Sequence, residues 1–509
     1  MNNLMKIILA FAFVFSALIA EAKKPNVLFV VSDQQVKKSL GCYGHPTQHT
    51  PNIDKLANEG IKLENAISTF PVCSPFRAML FSGKYPFHNG MVKNSLVMFD
   101  DIKYMAHYFK EAGYLVGLSG KWHLWWAGEG EPTPEEFRGG FSDIWDLPFP
   151  ENLRNPEGRK MLRERGEFDD KGGAFLAFPH SDNAIKMIDM SKEQDKPFLM
   201  VVSWNPPHPR YMAKKEEYDN KKSEDIIVSE TYAMPAHLYP DGKAQWIHIQ
   251  KDLPQDCLTN KEAFIEEALR HYYGACEGLD KEFARIMEHL EKSGMKDDTI
   301  IVYTSDHGDM LGAHGLLNKP YPYEEAINIP FIVRYPKKIK ADTTTDVLIM
   351  PIDILPTLLD LADVKFDEKA FDGRSFAGSL EGKKDAYEHQ AALIMSPDAW
   401  WRGVRTKTHT YVEHKGEPWL LFDNIKDPNQ IDNLINLDDF ADIQEDLKEK
   451  LIVLLEESGD EIYLKYAKNP KKYVEGLLGV FQDRLDKFEK DYPHIKTEHG
   501  NNSFVKKNK

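Results

Sequence analysis

Pro25-Asn26-Val27-Leu28-Phe29-Val30-Val31-Ser32-Asp33-Gln34-Gln35 is a largely apolar run that stops abruptly at polar residues. Consecutive apolar positions over that length predict a strand buried on both faces of a parallel sheet. The chain repeats the pattern. Residues 61–67 predict a strand that leads into a helix. Residues 114–118 run into Gly120-Lys121-Trp122-His123, and 197–202 end in Ser203-Trp204-Asn205-Pro206-Pro207-His208. Residues 299–303 run into Ser305-Asp306-His307-Gly308-Asp309, and a further strand is predicted near 330–335. Helical periodicity fills the gaps at about 50–60, 100–112, 181–192, 261–294 and 352–362. Alternating strands and helices predict an α/β domain, its mostly parallel sheet flanked by helices on both faces. In open sheets of this kind ligands gather beyond the C-terminal strand ends. Asp33-Gln34, Lys121 to His123, His208 and Asp306-His307 all fall there. One histidine after a strand is most often structural, but four polar clusters at strand ends predict one shared site.

The helix after residues 61–67 carries the most specific motif, Phe70-Pro71-Val72-Cys73-Ser74-Pro75-Phe76-Arg77-Ala78-Met79-Leu80-Phe81-Ser82-Gly83-Lys84-Tyr85-Pro86. Pro75 suits a first helical turn, where its missing N–H costs nothing. Cys73 then sits at a helix N-terminus, where free N–H groups favour negative charge. Arg77, one turn on, is placed to reach the same anion. A sulfur, N–H donors and a guanidinium together can grip a tetrahedral oxyanion. A buried cysteine in a helix cap would share the pattern, so the surrounding clusters have to decide.

Cys73, Pro75 and Arg77, followed by the Gly83-Lys84-Tyr85-Pro86 turn, resemble the signature of the type I, formylglycine-dependent sulfatases, members of the alkaline-phosphatase-like superfamily. Phe76 stands where that family usually has a small residue. The resemblance covers nearly the whole chain and is nearest to bacterial polysaccharide sulfatases. It implies that Cys73 is converted to 3-oxoalanine (formylglycine), whose hydrated form is the nucleophile. A formylglycine-generating or anaerobic sulfatase-maturating enzyme is then a required partner. Asp33-Gln34 and Asp306-His307 resemble the two ligand pairs for one divalent cation. Lys121, His123, His208 and Lys319, the last within His314-Gly315-Leu316-Leu317-Asn318-Lys319, match the sulfate-clamping residues. Oxygen-rich donors suit a hard cation such as Ca²⁺, although His307 is a softer ligand. Arg77, Lys121 and Lys319 would neutralise charge on the transferring group, and His123 or His208 can protonate the leaving alkoxide.

Composition narrows the rest. The chain has 509 residues, long enough for one large core and a smaller domain. Its net charge of −16 argues against a nucleic-acid binder. Lys6, the apolar run 7–19 and Ala20-Glu21-Ala22 read as a signal peptide over residues 1–22. The run is short for a membrane span. Export to the periplasm or beyond, without stable membrane insertion after cleavage, is expected. Residues 23–383 are read as the catalytic domain. Near Lys383 the character changes to short strands and turns, so 384–509 is read as an α+β subdomain with an antiparallel sheet. Of four cysteines, Cys257 and Cys276 are the candidate pair for a disulfide. A modified Cys73 leaves an odd number, which argues against a disulfide framework.

Three functions fit. The leading one is a sulfatase acting on a sulfated polysaccharide or its oligosaccharides, algal (such as ulvan) or glycosaminoglycan. A phosphonate monoester or phosphodiester hydrolase of the same superfamily shares Asp-Gln and Cys-x-Pro-x-Arg. A catalytically silent carbohydrate-binding homologue should have lost some of these residues. Trp125, Trp126 and Arg210, beside two of the strand-end clusters, are expected to hold sugar rings and their acidic substituents, with Arg402 and Arg405 from the subdomain. For any single tryptophan, core packing is the simpler role.

Overall fold

The computed structural model describes residues 23–94, 96, 98, 101–125, 133, 135–146, 160, 177–209, 211–232, 261–384, 386–397, 400–469, 471–477, 479 and 490. The expected signal segment 1–22 lies outside them, as do Trp126, Arg210 and Cys257. The main sheet contains β1 (Asn26–Asp33), β2 (Ile61–Ile67), β3 (Leu115–Gly120), β4 (Ile144–Asp146), β5 (Phe198–Pro207), β6 (Thr299–Ser305), β7 (Asn328–Ile329), β8 (Phe331–Arg334) and β9 (Thr343–Ile349). Their order is β4-β3-β5-β1-β6-β8-β2-β7, with β9 beside β2. β1 is buried throughout, as its unbroken apolar run requires. It pairs in parallel with β5 on one side and β6 on the other, and β3 continues the parallel set next to β5. β8 is antiparallel to both β6 and β2, so two reversals return β2 to the direction of β6. The C-terminal ends of β3, β5, β1, β6 and β2 therefore all open on one edge. The fold is the mixed, mostly parallel α/β arrangement read from the sequence.

Alternate residues of β1 face different layers. Val27, Phe29 and Val31 join one apolar cluster with Phe76 and Leu80. Leu28 and Val30 join the other, with Phe283 and Ile286 of the long helix Lys261–Lys292. Phe76 is fully buried in the first cluster, so the bulk that departs from the family pattern packs inward, away from the strand-end edge.

The long helix also anchors the helix Pro51–Asn58. Asp280 accepts hydrogen bonds from the backbone N–H of Asn52 (3.0 Å) and Ile53 (2.8 Å) in that helix's first turn. Burial pushes the Asp280 carboxyl from an ordinary 3.8 up to about 6, against the lowering effect of those bonds. A carboxyl raised by folding stabilises the fold in its protonated form. That contribution is complete below about pH 4 and is lost as pH rises through about 6. Relative to wild type, Asp280→Asn should gain up to about 3 kcal/mol of stability between about pH 4 and pH 7. Urea unfolding of both proteins across that range checks this; a constant difference would contradict it.

The second sheet consists of β10 (Ala392–Ser396), β11 (Trp401–Arg405), β12 (His409–His414) and β13 (Glu417–Asp423), antiparallel in chain order. The helix Ala441–Glu457 packs on it through Leu447, Leu451 and Leu455. One apolar cluster runs from Phe70, Met79 and Tyr323 of the first unit into Leu393, Trp401 and Leu420 of the second. Two hydrogen bonds cross the same seam. Met395 N–H donates to the Thr69 carbonyl (2.7 Å), and the Trp401 indole donates to the Pro320 carbonyl (3.4 Å).

Candidate active site

Each of the predicted strand-end clusters lies on the common edge. Asp33 ends β1, Asp306 follows β6, Lys121 follows β3 and His208 follows β5. Cys73 opens the fully buried helix Cys73–Ser82 after β2, and Gly83 closes that helix with φ +66°. Gly120 shows why Lys121 is where it is. With φ +112°, it brings β3 so close to β5 that a Cβ would sit 1.9 Å from the Ser203 carbonyl oxygen. Lys121 N–H then donates to that same carbonyl (2.8 Å), and its side chain turns to the site. Gln34 also takes a left-handed backbone (φ 67°), which bends the chain at the strand end.

Cys73 is fully buried, and its sulfur is surrounded by the predicted residues. Sγ lies 3.3 Å from His307 Nε2, 3.5 Å from Lys121 Nζ, 3.4 Å from Lys319 Nζ and 3.6 Å from Asp33 Oδ1. Burial alone pushes the thiol up, but Lys121, Lys319 and His307 outweigh it and hold the thiol well below its ordinary range. The position thus favours a negatively charged group at Cys73.

Two fully buried carboxylates lie behind the sulfur. Arg77 Nη2 bridges them, 3.1 Å from Asp33 Oδ2 and 3.0 Å from Asp306 Oδ2. Arg77 Nη1 donates to the Lys121 carbonyl (2.7 Å) and to Ser203 Oγ (2.6 Å). The two Nη groups of Arg77 thus hold the carboxylates and the Lys121 turn, while its buried Nε has no partner among the described residues. Asp33 is held below its ordinary range: burial and Cys73 raise it, while Lys121, His208 and Arg77 prevail in lowering it. Asp306 is raised, by burial first and by the charge of Asp33 second.

One donor atom each from Asp33, Cys73, Asp306 and His307 lies within 4.8 Å of the others. The His307 Nδ1–H points at the Gly308 carbonyl (2.9 Å), which turns Nε2 toward Cys73 Sγ (3.3 Å) and Asp306 Oδ1 (3.4 Å). Gln34 adds an amide whose nitrogen is held by Asp309 and by Asn318 Oδ1 (2.9 Å), so its oxygen faces Lys319. Two juxtaposed carboxylates, an amide oxygen and an imidazole form a donor set that fits a divalent cation.

His208 Nδ1 contacts the Pro209 carbonyl (2.5 Å), and Nε2 faces Asp33 Oδ1 at 4.0 Å. Burial, then Lys319 and Lys121, lower this imidazole to about 4. His123 is likewise lowered by burial and by Lys121, with a left-handed backbone (φ 58°).

Several expected substrate contacts fall elsewhere. Arg402 is fully buried, 2.5 Å from Asp460 and 2.9 Å from the Tyr473 hydroxyl. Arg405 is bound by Glu324 (3.1 Å) and Asn65 (2.6 Å) and lines a separate cavity of about 670 Å³ at the seam between the sheets. Both guanidiniums are buried and paired within the fold. Trp125 stacks on Phe137 (3.9 Å between rings) within the core. Cys276 is a free, fully buried thiol, 3.6 Å from Ser39 Oγ, and burial pushes it up to about 12.

The sulfatase family model matches residues 25–364. The chain belongs to the sulfatase family. A second model, that of the N-sulphoglucosamine sulphohydrolase C-terminal region, matches residues 312–457 and spans the seam. An ulvan-active sulfatase of Formosa agariphila is 31% identical over 463 residues, 87% of this chain and 83% of that protein. An N-acetylglucosamine-6-O-sulfatase of Bacteroides thetaiotaomicron is 27% identical, covering 85% of this chain and 86% of its own. Among solved structures, a protein in complex with its substrate D-glucosamine-2-N,6-O-disulfate superimposes with a TM-score of 0.69 at 25% identity, covering 86% of this chain and 99% of that one. The sulfatase described here is thus a sulfuric ester hydrolase. Among its described residues no helix is long and apolar enough to cross a membrane.

Proposed function

We propose that this sulfatase is exported and removes sulfate from oligosaccharides of a sulfated polysaccharide, with formylglycine at Cys73. The observation that carries the reading is the ring of Lys121, Lys319 and His307 within 3.5 Å of the Cys73 sulfur, which suits an anionic nucleophile and an anionic substrate together. The relatives that act on ulvan and on N-acetylglucosamine 6-sulfate support the carbohydrate, and the segment 1–22 supports export.

A maturating enzyme would oxidise Cys73 to the formylglycine aldehyde with loss of its sulfur, and addition of water to that aldehyde would supply the hydroxyl nucleophile of the family. A divalent cation held by Asp33, Gln34, Asp306 and His307, with Ca²⁺ the best fit to the oxygen donors, would supply Lewis-acid stabilisation. The chain's own groups do the rest. Lys121 and Lys319 neutralise charge building on the sulfuryl oxygens. Arg77 keeps the two carboxylates together so that their ligand atoms stay aligned. His208 sits neutral between two ammonium groups until a sulfate ester adds negative charge beside it. That charge raises its affinity for a proton, which Nε2 is placed to deliver to the leaving alkoxide. His123 is the second candidate for that transfer.

The test is a comparison of kcat/KM on sulfated algal and glycosaminoglycan oligosaccharides, a small aryl sulfate and a phosphonate monoester, with mass spectrometry of the Cys73 peptide. The expected result is a preference of at least about tenfold for one oligosaccharide, and a Cys73 peptide lighter by the exchange of thiol for aldehyde. Faster turnover of the phosphonate would favour the hydrolase alternative. Full activity with an intact thiol would remove formylglycine from the reading.

A further inference from the structure

Asp309 lies three residues beyond Asp306 and is fully buried, yet it is not one of the described groups that could meet a cation. Its two oxygens are divided between two tasks. Oδ1 accepts the backbone N–H of Leu311 (3.0 Å) and of Asn318 (2.8 Å), the residue before Lys319. Oδ2 accepts the amide nitrogen of Gln34 and the hydroxyl of Tyr211 (2.6 Å), three residues beyond His208. A primary amide has two nearly isosteric ends, one a donor and one an acceptor. Only the acceptor end can serve a cation, so something must choose between the two orientations. Both oxygens of Asp309 already serve as acceptors, Oδ1 for two backbone N–H groups and Oδ2 for a hydroxyl, so the nitrogen end of the amide is the one that meets it.

We infer that Asp309 is a positioning residue: its carboxylate holds the nitrogen of Gln34 and thereby turns the Gln34 oxygen toward the cation site. Through Tyr211 and Asn318 the same carboxylate ties the loops carrying His208 and Lys319 to that ligand. The inference rests on Gln34 being a cation ligand, as proposed above. It also defines an unusual variant. In Asp309→Asn, Oδ1 can still accept from Leu311 and Asn318, and the Tyr211 hydroxyl can rotate to accept. The new Nδ2, however, faces the Gln34 nitrogen, so two donors meet, and the amide either loses its hold or inverts against Lys319 and Asn318 and presents its nitrogen to the cation.

Calcium titration calorimetry on the chelator-treated full chain tests this, with no need for a matured Cys73. Outer partners of metal ligands typically contribute 10- to 100-fold in affinity. Asp309→Asn should weaken Ca²⁺ binding by about that factor, as should Gln34→Ala. In the Gln34→Ala background Asp309→Asn should have no further effect, because no amide is left to orient. The exchanged pair Gln34→Glu with Asp309→Asn keeps the hydrogen bond with donor and acceptor reversed, and should bind Ca²⁺ to within about tenfold of wild type. If Gln34→Ala weakens binding while Asp309→Asn does nothing, or weakens both backgrounds equally, the positioning role is overturned and the ligand reading stands. If Gln34→Ala binds like wild type, the ligand reading falls and takes the inference with it. Should Asp309→Asn fail to fold, the exchanged pair carries the test: failure of that pair to fold or to bind overturns the inference.

Discussion

Cys73→Ala should abolish turnover of every sulfate ester, by a factor on the order of 10⁴ or more, while the protein keeps its fold. The substitution removes one buried sulfur and nothing else. Lys121 and Lys319, both within 3.5 Å of that sulfur, remain to hold an anion, and Asp33, Asp306 and His307 remain for a cation. The cavity left by one atom costs about 1 kcal/mol. Inorganic sulfate or an uncleaved substrate should therefore still bind, and Ca²⁺ should still raise the melting temperature. Single-turnover assays alongside calorimetry separate the two effects. Residual activity within about tenfold of wild type would show that the nucleophile lies elsewhere.

Arg77→Met should be the most destabilising single change at this site. The Arg77 side chain is fully buried, and so are both of its carboxylate partners. Methionine replaces the apolar stem but leaves Asp33 and Asp306 facing one another without the guanidinium between them. Removing one partner of a buried ionic cluster costs about 3–5 kcal/mol, and here the loss also frees the turn that carries Lys121. Activity should fall with it. Bound divalent cation supplies the missing positive charge, so the deficit should be largest in chelator and smaller with Ca²⁺. Denaturant unfolding with and without Ca²⁺ measures both. Equal stability of variant and wild type in chelator would mean that the carboxylates need no counter-charge. Arg77→Lys should rescue little, since one ammonium cannot reproduce four hydrogen bonds from a planar fork.

The parallel strands were legible because burial on both faces writes itself as an unbroken apolar run, as in β1 and β6. β9 was not, because its first half is solvent-exposed and polar at alternate positions, Thr343-Thr344-Thr345-Asp346, and pairing rather than hydrophobicity makes it a strand. Residues 144–146 form β4, held by the edge of β3 and too short for any periodicity. The short strands and turns expected beyond Lys383 include β11 and β12, paired antiparallel. The chemistry-bearing residues were placed by strand-end position together with the Cys73 motif. Sequence shows that an arginine is present but not what it is paired with. Arg402 finds Asp460 and Arg405 finds Glu324, both far away in the chain. Asp309 was in view as the end of Asp306-His307-Gly308-Asp309, yet its role emerges only when Gln34, 275 positions away, is brought against it.

The joint between the two sheets bears on how such enzymes can be re-engineered. The Thr69 carbonyl that receives the Met395 N–H lies four residues before Cys73, and the Pro320 carbonyl that receives the Trp401 indole directly follows Lys319. The C-terminal sheet is therefore not an exchangeable module hung on a finished enzyme, since it braces the two segments that present Cys73 and Lys319. A chimera that takes its last third from another family member would inherit foreign side chains in a core both halves must share. Recombination along this chain should succeed at the surface loops and fail at the boundary where a domain map would invite the cut.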